Sequence, residues 1–183
     1  MAQRLIFLLG GARSGKSRYA EEWARQQGGR VLFVATAQAF DTEMEERIRR
    51  HRQERPAEWT TLEAATGAGE AIQNALSAES YAIVLVDCLT LLAANVLLAL
   101  PEEATQPEVN RAVLAETERL LATVHASQAT WLVVSNEVGM GVVPPTRLGR
   151  LYQDALGWAN QRVAAQADEV LLLVAGLPWR LKP

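Results

Sequence analysis

The sequence predicts an α/β fold in which a mainly parallel sheet carries helices on its faces. Apolar, β-rich runs recur along the 183 residues, and the intervals between them carry helical patterns. Strands that alternate with helices are typical of βαβ units, since a parallel neighbour needs a crossover connection. The predicted strands are Leu5–Leu9, Val31–Val34, Ile83–Val86, Trp131–Val134 and Val170–Val174.

The predicted helices stop or start where glycine or proline interrupts the pattern. They are Ser17–Gln27, Glu43–Arg55, Glu70–Leu76, Leu89–Leu98, Pro107–Ala126 and Thr146–Ala167. The interrupting residues are Gly28-Gly29, Pro56, Pro101 and Pro144-Pro145. Because no repeat, low-complexity tract or linker divides the sequence, we expect a single domain over residues 1–183.

Composition argues against several classes of protein. The net charge of -3 gives no field that attracts a nucleic-acid backbone, so we expect no nucleic-acid partner. Cys88 is the only cysteine, which leaves neither a disulfide framework nor a cluster of thiolates for zinc. The apolar run Leu5–Leu9 is too short for the core of a signal peptide. We therefore expect a cytoplasmic protein.

The stretch Ile83–Leu100 is almost entirely apolar and approaches the roughly 20 residues that a membrane-spanning helix needs. Asp87, Thr90 and Asn95 interrupt it, and a charge inside a bilayer is costly. Its β-branched start, followed by leucine and alanine, is more typical of a buried parallel strand that leads into a helix. We expect no membrane insertion.

A phosphate-binding motif follows the first predicted strand. The eight residues satisfy G-x-x-x-x-G-K-[ST] between an apolar strand and an amphipathic helix, which is the context that the motif requires. They are Gly10, Gly11, Ala12, Arg13, Ser14, Gly15, Lys16 and Ser17, called the P-loop below. Glycines let the backbone form a nest of N–H donors, and the helix adds the positive end of its dipole. Lys16 can reach the β- and γ-phosphates, and the Ser17 hydroxyl can bind Mg²⁺. The alternative is a glycine-rich turn that matches by chance.

Asp87 closes the third apolar run, where a P-loop protein places a carboxylate for the metal. The alternative is an N-cap for the helix that starts near Leu89. A small regulatory GTPase needs an Asn-Lys-x-Asp motif, and Lys16 and Lys182 are the only lysines. A RecA-type motor acts on nucleic acid, for which the charge gives no support. The remaining class is an enzyme that acts on a small molecule.

A second motif lies on the predicted helix Glu43–Arg55. Thr42 with Glu45 forms a capping box, and arginines crowd the last turn. Cationic neighbours such as Arg50 and Arg52 keep the histidine at position 51 neutral, which leaves a ring nitrogen free to attack phosphorus. A packed histidine at a helix end explains His51 at least as well. For His125, the only other histidine, we expect a structural or solvent role.

Taken together, blocks in order along nearly the whole chain resemble the bifunctional adenosylcobinamide kinase / adenosylcobinamide-phosphate guanylyltransferase family. The P-loop alone is generic, whereas the helix around His51 and the block SNEVGMGVVP at 135–144 are specific to that family. Further blocks are Val34–Ala37, Trp59–Glu63, Asp87–Thr90 with Asn95, Arg147–Arg150 with Asp154, and Asn160-Gln161.

The resemblance implies a RecA-like P-loop fold, a homo-oligomer that is trimeric in relatives, and two reactions. A nucleoside triphosphate, ATP or GTP, phosphorylates adenosylcobinamide with Mg²⁺. The histidine matching His51 then attacks the α-phosphate of GTP, and the resulting guanylyl enzyme gives GMP to adenosylcobinamide phosphate. Two alternatives remain open: a P-loop kinase without nucleotidyl transfer, and a GTP-binding module without catalysis.

The resemblance also implies roles for individual residues. The P-loop holds phosphates, and Thr36 and Ala37 line the nucleotide site. The residues implied to bind guanosine and its phosphates are Arg52, Gln53, Glu54, Arg55 and Glu63.

Overall fold

Seven strands form one sheet in the order β3-β2-β4-β5-β1-β6-β7 in the computed structural model, which describes residues 4–38, 46, 49 and 55–183. The strands are β1 Arg4–Gly10, β2 Val31–Ala35, β3 Thr60–Glu63, β4 Ile83–Asp87, β5 Thr130–Val134, β6 Glu169–Val174 and β7 Leu177–Lys182. All neighbours pair in parallel except β6 and β7, which are antiparallel. The predicted α/β fold with a mainly parallel sheet is confirmed.

Five helices have bounds in the described part of the chain: α1 Lys16–Gln27, α2 Ala68–Ala78, α3 Leu89–Leu98, α4 Gln106–Ala126 and α5 Arg147–Gln166. The predicted helix Glu43–Arg55 lies outside the described residues except for Glu46, Arg49 and Arg55, and Glu46 and Arg49 have helical backbone. None of the helices in the described ranges combines the length and apolar character needed to cross a membrane.

The sheet is buried on both faces. Ile6 and Leu8 of β1 pack with Ala20 and Ala24 of α1, whereas the alternate residues of β1 pack in the larger core beneath α2 to α5. A strand covered on both faces has no polar side, so the central strands have continuous apolar sequences. This burial on both faces explains why apolar runs in the sequence correctly predicted the strands β1, β2, β4, β5 and β6.

The prediction of five strands was incomplete, because both edge strands were missed. β3 has the sequence Thr-Thr-Leu-Glu and is mostly exposed, so it carries little apolar signal. β7 is largely exposed and contains Pro178, which is tolerated at a sheet edge but argues against a strand in sequence reading. Ala175 and Gly176 connect β6 to β7 with φ angles of 51° and 83°. Two consecutive positive φ angles are typical of a tight hairpin turn.

Candidate active site

The P-loop connects the buried strand β1 to α1, and two of its glycines are required by geometry. Gly10 has φ 151°, and a Cβ there would lie 2.5 Å from the carbonyl oxygen of Leu173. Gly15, at the N-cap of α1, has φ 97°, and a Cβ there would lie 3.1 Å from the Cα of Gly176. Any larger residue would strain the turn that aims the loop's N–H groups.

The β6–β7 turn, Ala175-Gly176, supports the P-loop from one side. The Gly176 N–H donates to the carbonyl oxygen of Ser14 at 2.9 Å. Because Gly176 also lies against Gly15, the shape of the loop depends on a segment far along the chain. The P-loop motif itself gives no indication of this contact.

Lys16 is buried, and its Nζ donates to the carbonyl oxygen of Gly11 at 2.6 Å and lies 3.4 Å from the Ser14 Oγ. Burial lowers the pKa of the Lys16 ammonium from its ordinary value, while the nearby Cys88 and Asp87 act in the opposite direction. The Lys16 side chain thus folds back from the start of α1 over the P-loop. Its charge lies at the place where phosphates would bind.

Asp87 ends β4 on the same face of the sheet as Lys16. Along β4, Ile83 and Leu85 pack in the core beneath α1, so alternation gives Asp87 that face too. The N-cap of α3 is Cys88, which makes the capping interpretation of Asp87 wrong. Desolvation raises the pKa of the Cys88 thiol to about 12, so this sulfur is not a nucleophile at neutral pH.

Thr36 follows β2 and is completely buried. Its hydroxyl donates to the carbonyl oxygen of Cys88 and accepts from the Cys88 N–H, both at 2.7 Å. Asn95 then donates from its Nδ2 to the carbonyl oxygens of Thr36 and Ala65, each at 2.8 Å. These bonds fix the chain immediately after Asp87. Ala37, next in sequence, is partly exposed.

Of the residues expected to bind guanosine, the structure describes Arg55 and Glu63. The Arg55 guanidinium stacks on Phe33 of β2, with its Cζ 3.8 Å from the ring centroid. Phe33 belongs to the core beneath α1, so Arg55 lies on the face that carries Lys16. Glu63 is exposed at the end of β3. His51, Arg52, Gln53 and Glu54 lie outside the described residues.

A buried polar network behind the P-loop was given no role by sequence reasoning. Ser135 Oγ donates to Asn160 Oδ1 at 2.7 Å, and Thr90 Oγ1 lies 3.4 Å from Ser135 Oγ. All three residues are buried. A run of polar residues directly after the apolar strand β5 is the signal that could have indicated it. His125, by contrast, is exposed in the last turn of α4, which agrees with the expected solvent role.

Known proteins resemble this chain over nearly its whole length. Residues 6–181 match the family described as cobinamide kinase / cobinamide phosphate guanyltransferase. The "Bifunctional adenosylcobalamin biosynthesis protein CobP" of Pseudomonas aeruginosa is 43% identical, with 96% of this chain and 95% of that protein covered. The "Bifunctional adenosylcobalamin biosynthesis protein CobU" of Salmonella typhimurium is 40% identical over 97% of this chain and 99% of its own length.

A solved structure with a similar fold is that of the flagellar accessory protein FlaH from Methanocaldococcus jannaschii. It has a TM-score of 0.53 at 12% identity and covers 99% of this chain and 79% of its own. This likeness concerns the fold alone, and it agrees with the mainly parallel sheet flanked by helices. Because the match of sequence extends from β1 to β7, the chain belongs to the cobinamide kinase / cobinamide phosphate guanyltransferase family.

Proposed function

We propose that this protein activates adenosylcobinamide in two steps within one domain. It phosphorylates the aminopropanol hydroxyl with a nucleoside triphosphate, and it then transfers GMP from GTP to give adenosylcobinamide-GDP. The observation that carries the proposal is a P-loop with Lys16 and Asp87 on one sheet face, in a chain whose relatives are named bifunctional adenosylcobalamin biosynthesis proteins.

In the kinase step, the substrate hydroxyl oxygen attacks the γ-phosphorus, and the bond from that phosphorus to the bridging oxygen breaks. The P-loop N–H groups and the Lys16 ammonium stabilise the charge on the phosphate oxygens. Both are held in place, because Lys16 is buried and the loop is supported by the β6–β7 turn. Little further covalent chemistry is asked of the protein in a phosphoryl transfer.

We infer that the Ser17 hydroxyl and the Asp87 carboxylate would hold Mg²⁺. A hydroxyl and a carboxylate are oxygen donors that suit Mg²⁺, which takes its remaining ligands from phosphates and water. Among the described residues no cluster of three or more histidine, cysteine or acidic side chains forms a closed metal cage, and a magnesium–nucleotide site needs none. When bound, the ion neutralises charge on the phosphate oxygens.

For the guanylyl step we propose His51 as the nucleophile. Its ring nitrogen attacks the α-phosphorus of GTP, pyrophosphate leaves, and a phosphorus–nitrogen bond forms. A phosphate oxygen of the cobinamide phosphate then attacks the same phosphorus and frees the imidazole. Arg52, Gln53, Glu54, Arg55 and Glu63 would bind guanosine and its phosphates. The position of Arg55 on the face that carries Lys16 supports this assignment.

One experiment separates the proposed function from its two alternatives. The protein is incubated with α-labelled GTP and, separately, with γ-labelled ATP and adenosylcobinamide. We expect label that stays on the denatured protein in the first arm and a labelled cobinamide phosphate in the second. Phosphorylation without retained label would indicate a kinase alone. Binding of GTP with neither product would indicate a non-catalytic module.

We expect Asp87→Asn to lower magnesium-dependent kinase activity by about 10²-fold, the scale of one lost electrostatic contact in an active site. Asn keeps the size of the side chain but lacks the charge that holds Mg²⁺. Because Cys88, and not Asp87, occupies the N-cap position of α3, the thermal midpoint of unfolding should stay close to that of the parent. Kinase rates across a magnesium titration test this, with Glu70→Gln, which alters an exposed carboxylate on α2, as the control. Superimposable titration curves would remove Asp87 from the metal site.

We further propose that the protein is a cytoplasmic homo-oligomer, a trimer if it follows the resemblance. Met140, Val142 and Val143 are 80%, 95% and 74% exposed on one loop, and clustered apolar side chains in water mark contact surfaces. Light scattering after size exclusion should give a trimer mass for the parent. Val142→Glu should reduce that mass, and a monomeric parent would contradict the proposal.

A further inference from the structure

The segment Ser135–Val138 leaves β5 between the P-loop strand β1 and the Asp87 strand β4. The Ser135 N–H donates to the carbonyl oxygen of Leu8 at 2.9 Å, and the Glu137 N–H donates to that of Gly10 at 3.0 Å. Alternate residues thus continue the parallel ladder beyond the last residue of β5. Asn136, between them, is held beside the first residue of the P-loop.

The other side of Asn136 is fixed by side chains from two helices. Its N–H donates to the Thr90 Oγ1 of α3 at 2.6 Å, and its carbonyl oxygen accepts from the Asn160 Nδ2 of α5 at 3.0 Å. Ser135 joins the network through Asn160. Buried polar groups destabilise a protein unless they are hydrogen-bonded. Here the side chains of Thr90 and Asn160 each form a hydrogen bond with the main chain of Asn136. The network therefore fixes the backbone of Asn136.

Because side chains alternate between the two faces of a strand, the Asn136 side chain lies on the sheet face that α1 covers. Trp131 and Val133 pack in the core beneath α2 to α5, and Leu132 and Val134 pack in the core beneath α1. The Ser135 side chain donates a hydrogen bond to Asn160 of α5, so it points to the face opposite α1. The next residue along the continued ladder therefore points to the face that carries Lys16 and Asp87. Asn136 is half-buried, and its carboxamide makes no hydrogen bond to any residue that the structure describes. The fixed backbone thus places an amide donor on the sheet face of the P-loop, with no described hydrogen bond to its N–H groups.

We propose that the Nδ2 of Asn136 donates a hydrogen bond to the terminal phosphate of the nucleoside triphosphate in the P-loop, and that Thr90, Ser135 and Asn160 position it. A donor aimed at an anionic oxygen forms one of the stronger classes of hydrogen bond. Glu137 does not fill this role, because its Oε1 accepts from the Gly139 N–H at 2.7 Å within the following turn. The proposal rests on the proposed function only in assigning a nucleoside triphosphate to the P-loop.

Calorimetric binding of a non-hydrolysable GTP analogue and of GDP tests the contact without requiring turnover. Asn136→Ala should weaken binding of the triphosphate analogue by about 10- to 100-fold, the scale of a hydrogen bond to a charged group, and leave GDP affinity unchanged. Ser135→Ala should give a smaller loss of the same selectivity, because it loosens only the support. Asn74→Ala, which truncates an exposed asparagine on α2, should change neither affinity.

A side-chain change at position 136 leaves both of its protein anchors in place, since they are main-chain groups. Should Asn136→Ala nevertheless fail to fold, Asn136→Val, which has a side chain of similar size but no hydrogen-bond donor, serves in its place. Equal losses for the triphosphate and for GDP, or no loss in either folded variant, would overturn the proposal. A parent protein that binds both nucleotides but phosphorylates nothing would contradict the proposed function and leave this comparison readable.

Discussion

Lys16→Ala is expected to leave a folded protein that has lost both reactions by about 10³-fold or more, the range seen when a cation at a transferring phosphate is removed. The ammonium of Lys16 donates to the Gly11 carbonyl oxygen and lies near the Ser14 Oγ, so both of its polar contacts are within the P-loop and neither joins strands of the sheet. Burial lowers the pKa of its ammonium, so the folded state bears a desolvation cost that alanine removes. Unfolding followed by circular dichroism, together with rates for each step, measures the two effects separately.

Lys182 provides a matched control, because it is the only other lysine. Its Nζ donates to the carbonyl oxygens of Ala164 and Ala165 at the end of α5, away from the P-loop. Lys182→Ala should retain both activities. If Lys16→Ala kept near-normal turnover of one step, the P-loop would not be the phosphate site of that step.

His51→Asn is expected to abolish the covalent guanylate and the formation of adenosylcobinamide-GDP, while kinase activity persists. Guanylyl transfer through an enzyme intermediate needs a side chain that bonds to phosphorus, whereas phosphoryl transfer to a bound alcohol needs only positioning and charge. Retained label from α-labelled GTP and the rate of cobinamide phosphate formation measure the two steps. The adduct on the parent should behave as a phosphoramidate, lost in acid and kept in alkali.

His125→Asn is the control for this pair of measurements, since His125 is the only other histidine and is exposed on α4. It should retain both activities. Label that persists on the His51 variant, or that resists acid on the parent, would place the nucleophile on another residue. Lys16→Ala and His51→Asn together test whether one chain catalyses two separable reactions. The first variant is expected to lose both steps, and the second is expected to lose only guanylyl transfer.

Burial decided how much of the fold could be predicted. β1 and β4 are enclosed on both faces, so their sequences are unbroken apolar runs that can be read without a structure. β3 and β7 lie at the edges, where an exposed strand can contain threonine, glutamate or proline, and both were missed.

Those parts of the site that are contiguous in sequence could be predicted, whereas those that depend on residues far apart in sequence could not. The P-loop is one contiguous motif, and strand and helix flank it as predicted. The alternative of an N-cap at Asp87 could be tested only once the boundary of α3 was known, and the metal role of Asp87 stays a prediction. The position of Asn136 depends on Thr90 and Asn160, which are far apart in sequence, and no spacing rule joins them.

The hydrogen bond between Gly176 and Ser14 has a consequence for the order of events during synthesis. Synthesis proceeds from the N-terminus, so β1 leaves the ribosome first. Its partners β5 and β6 are made much later: Leu5 pairs with Trp131, and Ile6 pairs with Glu169. Contacts of such long sequence separation form slowly, because a large loop must close before they are made. A nascent chain arrested before Gly176 has synthesised its P-loop early but lacks the turn that holds it. We therefore expect nucleotide binding to begin only when nearly the whole sheet has been translated.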